Sequence, residues 1–129
     1  MKQQRNTKQR QLILDAVRAR SDHPSAEQIY LDVRAADDRI SRGTVYRNLN
    51  VLVRHRVVLQ VKLPHTDRYE GQLDLHYHLL CKECGEVRDV PMPYQRNLDL
   101  DAARKTGYTI DRHRTVFEGI CPDCRQKLF

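Results

Sequence analysis

Ser41-Arg42-Gly43-Thr44-Val45-Tyr46-Arg47-Asn48-Leu49, continued by Asn50-Val51-Leu52-Val53-Arg54, is the stretch that decides the fold. Val45, Leu49, Leu52 and Val53 recur at helical spacing and define one apolar face. Arg42, Thr44, Tyr46, Arg47 and Asn50 project from the other, and no acid interrupts residues 42–56. Ser41 is placed to cap the helix, whose N-terminal N–H groups then favour a phosphate. A helix held by its apolar face suits the major groove of DNA. There an arginine pairs with phosphate or guanine, and a threonine methyl or tyrosine ring meets thymine methyls. The same pattern also describes a solvated helix face with a half-buried tyrosine, so the flanking elements carry weight.

Upstream, Leu12, Ile13, Ala16 and Val17 predict a helix over Thr7–Arg20, with Thr7 as N-cap. Ser21-Asp22-His23-Pro24 breaks it. Ser25 and Gln28 form a capping-box pattern at the start of a second helix, whose buried face is Ala26, Ile29, Tyr30 and Val33. Ala35–Arg39 is a polar connection to the third helix, Ser41–Arg54. Downstream, Val57–Leu63 is a β-branched extended run. A break at Pro64–Asp67 leads to Arg68-Tyr69-Glu70, which closes a hairpin. Three helices followed by a hairpin is the winged-helix order. Gly71-Gln72 reads as a hinge, which gives a DNA-binding domain over 1–70 and a second domain over 73–129. In the second domain the pattern predicts strands at Leu73–Cys81, Glu86–Val90 and Tyr108–Cys121, and a helix at Pro93–Lys105. The expected class is α+β: a winged-helix domain followed by an α/β dimerisation domain.

The chain has 129 residues. Two domains of that size have thin cores, so a metal or a partner subunit is expected to support them. There are 23 Lys+Arg against 17 Asp+Glu, a formal charge of +6. The surplus concentrates in residues 1–20 and 42–56, which favours a polyanionic partner. No apolar run reaches the roughly 18 residues of a membrane span. The N-terminus, Met1-Lys2-Gln3-Gln4-Arg5, lacks the apolar core of a signal peptide. A cytoplasmic location follows as an expectation, and in a reducing compartment four cysteines are metal ligands or redox groups rather than structural disulfides.

Cys81-Lys82-Glu83-Cys84-Gly85 and Cys121-Pro122-Asp123-Cys124 are two Cys-x-x-Cys pairs. Each pair chelates through one tight turn, and two pairs complete a tetrahedral thiolate site suited to structural zinc at about 2.3 Å. Gly85 supplies the positive φ such a turn needs. The alternatives are two disulfides or a redox dithiol. A redox motif requires a pair at a helix start in a βαβ context, whereas both pairs here follow strands. The expected role of the metal is to pin the last strand and tail to the central hairpin.

His76-Tyr77-His78 lies just before the first pair. Side chains at i and i+2 of a strand share a face, so His76 and His78 point together while Leu75 and Tyr77 point away. Two imidazoles about 6–7 Å apart along a strand chelate one ion. Asp89 on the next strand offers an oxygen, and Glu70 and His23 are further candidates. Nitrogen and oxygen donors suit Fe(II), Mn(II) or Zn(II). Spacing ties together only His76 and His78, and a lone His-x-His is commonly a surface feature. His55, His65 and His113 read as structural or solvent-facing.

The chain resembles the ferric uptake regulator (Fur) family over nearly its whole length. The carriers are Thr7-Lys8-Gln9-Arg10, His23-Pro24-Ser25-Ala26-Glu27-Gln28-Ile29-Tyr30, Ser41 to Leu49, His76-Tyr77-His78-Leu79-Leu80-Cys81 with Cys84-Gly85, and Gly119-Ile120-Cys121-Pro122-Asp123-Cys124. The resemblance implies a homodimeric repressor that binds an inverted-repeat DNA operator when a regulatory metal is present. It implies structural Zn2+ on Cys81, Cys84, Cys121 and Cys124. It implies regulatory Fe2+ or Mn2+ on His23, Glu70, His76, His78 and Asp89, a site that would link the winged helix through the hinge to the dimerisation domain. Metal would then fix the angle between two DNA-reading heads, giving it the differential affinity a switch requires.

The resemblance also bears on the branch. The peroxide-sensing (PerR) branch typically has Asp as last ligand, as here in Asp89, where iron sensors have Glu. At the hinge the same branch usually has Asp, where this chain has Glu70. A further metal site of many members needs ligands where Leu75, Tyr77 and Arg96 stand, and only His113 remains of it. The balance favours peroxide sensing, with His23 and His76 as the imidazoles to be oxidised. Iron-responsive repression, or a response to zinc, manganese or nickel, is the alternative. A metal-dependent enzyme and a zinc-ribbon interaction module are readings of another class. The sequence offers neither a separate general acid or base nor a substrate domain, so no enzyme is expected.

Overall fold

A computed structural model describes the backbone of residues 2–128 and the side chains of residues 8–127. The element order is α1 (Lys2–Arg18), α2 (Ala26–Ala36), α3 (Arg42–Arg54), β1 (Leu59–Val61), β2 (Arg68–Glu70), β3 (Tyr77–Cys81), β4 (Val87–Val90), α4 (Arg96–Thr106), β5 (Val116–Gly119) and α5 (Pro122–Leu128). The architecture is α+β, and the chain divides into two compact units, Met1–Asp74 and Leu75–Phe129.

In the first unit the apolar stripes of three helices meet. Ile13 and Val17 of α1, Ile29 and Val33 of α2, and Val45 and Leu49 of α3 are almost wholly buried together. Each such side chain contributes about 1.5–3 kcal/mol of burial. The capping box holds: Ser25 Oγ accepts from Gln28 N, and Gln28 Oε1 accepts from Ser25 N. The buried residues of α2 are Ala26, Ile29, Tyr30 and Val33, as the periodicity predicts. β1 and β2 pair antiparallel, Leu59 opposite Glu70 and Val61 opposite Arg68, and form the wing after α3.

The element ends differ from the sequence reading for identifiable reasons. α1 begins at Lys2, so Thr7 lies inside the helix rather than capping it; Lys, Gln and Arg propagate a helix well. At the other end, Ala19 N–H closes on Asp15 O, and the helix stops at Arg18 rather than Arg20. α2 runs on to Ala36, one residue into the expected connection. β1 starts at Leu59 rather than Val57, because Val57 N–H and Val58 N–H both donate to Leu52 O at the end of α3. Arg56, with φ 60°, turns the chain there.

The second unit holds a three-stranded sheet in the order β4-β3-β5. β3 runs antiparallel to β4 and parallel to β5. The expected strand Leu73–Cys81 forms only from Tyr77. Tyr77 faces Val90, and the chain after Val90 enters Pro91 and Pro93, which cannot continue a ladder. The helix expected from Pro93 begins at Arg96, and Gln95 N–H donates to Tyr77 Oη instead of a side-chain cap. Gly107, at φ 76°, ends it in the left-handed conformation. The strand expected over Tyr108–Cys121 is confined to Val116–Gly119; His113 N–H is already donated to Tyr94 Oη. α5 was unforeseen, although Pro122 at the first position, Asp123 in the first turn and Lys127 in the last favour it. Only Tyr77, Cys81 and Val87 are buried apolar side chains among the described residues of this unit. Leu79, Leu98, Leu100, Phe117 and Ile120 are exposed.

Candidate functional site

The two Cys-x-x-Cys pairs come together at the end of the sheet. Cys81 closes β3, and the β3–β5 ladder, with Lys82 N–H on Gly119 O, carries Cys121 alongside. All four Sγ atoms lie within 4.8 Å of one another, and none is in a disulfide. Cys84 Sγ and Cys121 Sγ are 3.9 Å apart. A tetrahedron with metal–sulfur bonds of about 2.3 Å has edges of about 3.8 Å, so the cage fits such an ion. Backbone N–H groups of Cys84 and Cys121 point at Cys81 Sγ, at 3.5 and 3.3 Å, and lower its pKa to about 6. The Cys121 thiol beside it pushes Cys124 up to about 12. Four thiols crowded this closely cannot all ionise unaided, whereas a dication stabilises all four thiolates. Gly85 adopts φ 78°, and its N–H returns to Cys81 O at 2.9 Å, which closes the first knuckle.

The nitrogen and oxygen candidates fall in both units. In the second, the antiparallel register sets His78 opposite Asp89, so their side chains share a face. Asp89 Oδ1 lies 3.1 Å from His76 Nε2 and 3.6 Å from His78 Nε2, and the two imidazole centroids are 4.5 Å apart. In the first, His23 Nε2 meets Glu70 Oε2 at 3.0 Å, and both side chains are buried. His23 takes φ 54°, an unusual conformation for a residue with a Cβ, which costs on the order of 1–3 kcal/mol. Arg68 Nη1 donates to His23 O and Tyr69 N–H to Pro24 O, so β2 holds this turn. Each group is a set of donors for a divalent transition ion.

On α3 the polar face is exposed. Arg42, Tyr46, Arg47 and Asn50 reach solvent, and Thr44 is half-buried. Ser41 Oγ accepts from Thr44 N–H, so the cap forms as predicted. Arg47 folds back to Thr44 Oγ1 at 3.1 Å and lies over Gly43, where a Cβ would sit 3.2 Å from Arg47 Nη1. Val53 is only partly buried, and Asn48, not expected on the core face, is buried with Val45, Leu49 and Leu52. Asn48 Oδ1 accepts from Arg10 Nε and its amide donates to Thr44 O. No helix among the described residues is long and apolar enough to cross a membrane.

The ferric uptake regulator family model matches residues 1–118. The chain belongs to that family. It is 33% identical over 126 residues to the peroxide-responsive repressor PerR of Staphylococcus saprophyticus, covering 95% of this chain and 84% of the relative. It is 30% identical to the same repressor of Staphylococcus aureus, over 124 residues with 95% and 84% covered. Among solved structures, the ferric uptake regulator Fur of Helicobacter pylori, described as having three functional metal binding sites, superposes with a TM-score of 0.78. The identity there is 25%, over 92% of this chain and 80% of that one. The peroxide stress regulator of Campylobacter jejuni, at 23% identity over 93% and 91%, gives 0.76 and supports the fold. As a Fur-family chain it is a metal-responsive transcription regulator and not an enzyme, of a kind that is dimeric and binds DNA. Its fold is the family's winged-helix unit followed by a dimerisation unit.

Two features of this family member were missed by sequence reasoning. His113 is the middle of a network. Its Nε2 meets Tyr77 Oη at 2.7 Å, its Nδ1 meets Asp99 Oδ1 at 2.7 Å, and Tyr94 stacks on its ring while donating to Asp99 Oδ2. Tyr94 holds the buried Asp99 carboxyl below its ordinary value, and burial first, then Asp99, pushes the Tyr94 phenol up. The network fastens Tyr77, the residue between the two histidines, to α4. Its members are far apart in sequence, and only tertiary packing assembles them. The second feature is Glu27. It takes Arg42 in a two-pronged ion pair, with Nε 3.0 Å from Oε2 and Nη2 3.0 Å from Oε1.

Proposed function

We propose that this chain is a cytoplasmic homodimeric repressor of an inverted-repeat DNA operator, responding to peroxide through a regulatory Fe(II) or Mn(II) site and folded around structural zinc. The observation that carries the reading is the convergence of His76 and His78 on the Asp89 carboxylate, a thiolate-free donor set at the start of the β3–β4 ladder. The 33% identity to a peroxide-responsive repressor supports the peroxide branch. Cys81, Cys84, Cys121 and Cys124 would hold Zn2+. His23 and Glu70 from the first unit, and His76, His78 and Asp89 from the second, would hold the regulatory ion. The hinge is assigned to Gly71-Gln72, with a DNA-binding domain over 1–70 and a dimerisation domain over 73–129.

Bound Fe(II) would supply the one-electron chemistry that activates peroxide. The protein's part is to hold imidazoles beside it. An imidazole C–H that gains one oxygen from peroxide, with water as the other product, becomes a poorer donor, and His23 and His76 are assigned this role. Loss of a donor frees the two units from a common ion, so the DNA-reading α3 helices, presenting Arg42, Thr44, Tyr46, Arg47 and Asn50, lose their relative setting. The test is selection from a random duplex pool. Mn(II)-loaded protein is expected to enrich an inverted repeat and to release it on chelation, and Fe(II)-loaded protein to release it on peroxide treatment. No enriched repeat, or binding indifferent to chelation, overturns the reading.

Glu70 favours a second reading, an iron-responsive repressor, because the resemblance places Asp at this position in the peroxide branch. In that case peroxide leaves DNA binding intact while iron withdrawal abolishes it.

A further inference from the structure

Arg42 and Arg47 both project from the exposed side of α3, yet the structure treats them differently. Among the described residues Arg47 has no carboxylate partner; its guanidinium meets only the Thr44 hydroxyl. Arg42 is captured by α2. Its Nε lies 3.0 and 3.3 Å from the two Glu27 oxygens, and its Nη2 is 3.0 Å from Oε1. Its Cζ also sits 4.5 Å over the ring of Tyr30. Glu27 is itself well fixed. It stands in the first turn of α2, inside the Ser25–Gln28 capping box, where the helix N-terminus favours a carboxylate. Tyr30 is buried in the core. The Arg42 side chain is thus held on one side by a carboxylate fork and on the other by an aromatic face, although both partners of the ion pair remain about half exposed.

We infer that Glu27 is a specificity-determining residue: it occupies Arg42 when the protein rides on random DNA, and yields it only to an acceptor that matches the guanidinium fork. This rests on the reading of α3 as the DNA-contacting helix. Non-specific binding arises almost wholly from cations neutralising phosphates. A guanidinium already paired in a fork with a carboxylate gains little by exchanging it for one loosely placed phosphate. An exposed ion pair is nonetheless weak, about 0–1 kcal/mol. A guanine edge offering O6 and N7 in the fork geometry, or one phosphate locked in register by other contacts, therefore displaces Glu27 readily. The displaced carboxylate is then itself an acceptor beside the groove. Arg47 lacks such a brake and acts on any duplex.

The experiment measures the salt dependence of full-length protein on a random-sequence duplex, so no operator need be known. Arg47→Ala is expected to flatten the slope of log K against log salt by about 0.9 per protomer, one phosphate contact from each α3. Arg42→Ala is expected to leave the slope unchanged, since Glu27 already occupies that cation. Glu27→Gln is expected to steepen it by about 0.9 per protomer, with an affinity gain roughly 3.5-fold larger per protomer at about 50 mM than at about 200 mM salt. On an Arg42→Ala background the same change is expected to do nothing. Steepening that persists without Arg42 is a general charge effect and overturns the inference. So does an unchanged slope in Glu27→Gln while Arg47→Ala flattens it, a result that leaves α3 as the DNA-contacting helix. If Arg47→Ala and Glu27→Gln are both silent, the α3 reading falls together with the inference. Circular dichroism of each variant checks that helix content is unchanged.

Discussion

Cys84→Ser is expected to unfold the second unit and leave the first standing. In the second unit only Tyr77, Cys81 and Val87 are buried apolar side chains among the described residues. Cys81 belongs to the thiolate cage, and the other two, Tyr77 and Val87, at about 1.5–3 kcal/mol each contribute roughly 3–6 kcal/mol. A structural zinc site contributes an apparent 10–16 kcal/mol on the order of its own binding free energy. With zinc bound, the thiolate cage, whose sulfurs lie within 4.8 Å of one another, would therefore contribute more than the buried apolar side chains of this unit. A serine hydroxyl does not ionise near neutrality and replaces a sulfur poorly, so the site loses its ion rather than tolerating three ligands. The first unit has its own core of Ile13, Val17, Ile29, Val33, Val45 and Leu49 and contains none of the cysteines. Mass spectrometry under native conditions reads zinc and dimer together. Amide hydrogen exchange reads the units separately. The expected result is a zinc-free monomer, with Leu75–Phe129 exchanging freely and the Ile13–Leu49 core protected. A stable metal-free dimer with a protected second unit refutes the reasoning.

Arg47→Ala is expected to weaken operator binding by about 1–3 kcal/mol if the guanidinium pairs with a base, whereas a phosphate role lowers the salt slope by about 1; fluorescence anisotropy distinguishes them. His113→Ala leaves the buried Asp99 and Tyr77 each without one partner and is expected to cost about 2–4 kcal/mol in urea titration. Its second expected effect is weaker Mn(II) binding, because Tyr77 sits between His76 and His78. Asp99 titrates below its ordinary value near 3.8 in the folded protein. Its contribution is thus full above that value and is lost as pH falls through the lower folded pKa, and Asp99→Asn is expected to remove this acid limb of the stability profile. Ser25→Ala removes the capping hydroxyl of α2 and is expected to cost about 1 kcal/mol of thermal stability, read by calorimetry.

The first unit was legible because its determinants are local. The Ser25–Gln28 box, the Ser41 cap and the stripes through Val33 and Leu49 lie within a turn or two of the residues they organise. The Cys-x-x-Cys pairs were legible for the same reason, since each knuckle is one turn. What escaped depends on distant partners. The Tyr108–Thr115 segment has strand-like alternation, but His113 is drawn into a network with Tyr77, Tyr94 and Asp99, and a ladder cannot form there. Pro91 and Pro93 cut β3 short from across the sheet, a constraint invisible in the Leu73–His76 stretch itself. Nothing in the sequence around Glu27 points to Arg42, fifteen residues on, and only the fold sets the two together. The regulatory donors divided along the same line. Spacing ties His76 to His78 and the β3–β4 register adds Asp89, whereas His23 and Glu70, no more than further candidates in the sequence until the resemblance grouped them with the others, meet in the structure through the hold of β2 on the His23 turn.

Peptide mass spectrometry after peroxide treatment reads the sensing chemistry itself. Protein is loaded anaerobically with Fe(II) or with Mn(II), exposed to peroxide and digested. One oxygen atom is expected to add to the peptide carrying His23 or His76 in the iron form alone, in step with loss of operator binding, while the four cysteines remain unoxidised. Unmodified histidine peptides in protein whose DNA binding still follows iron contradict the peroxide reading and make the chain an iron-responsive repressor.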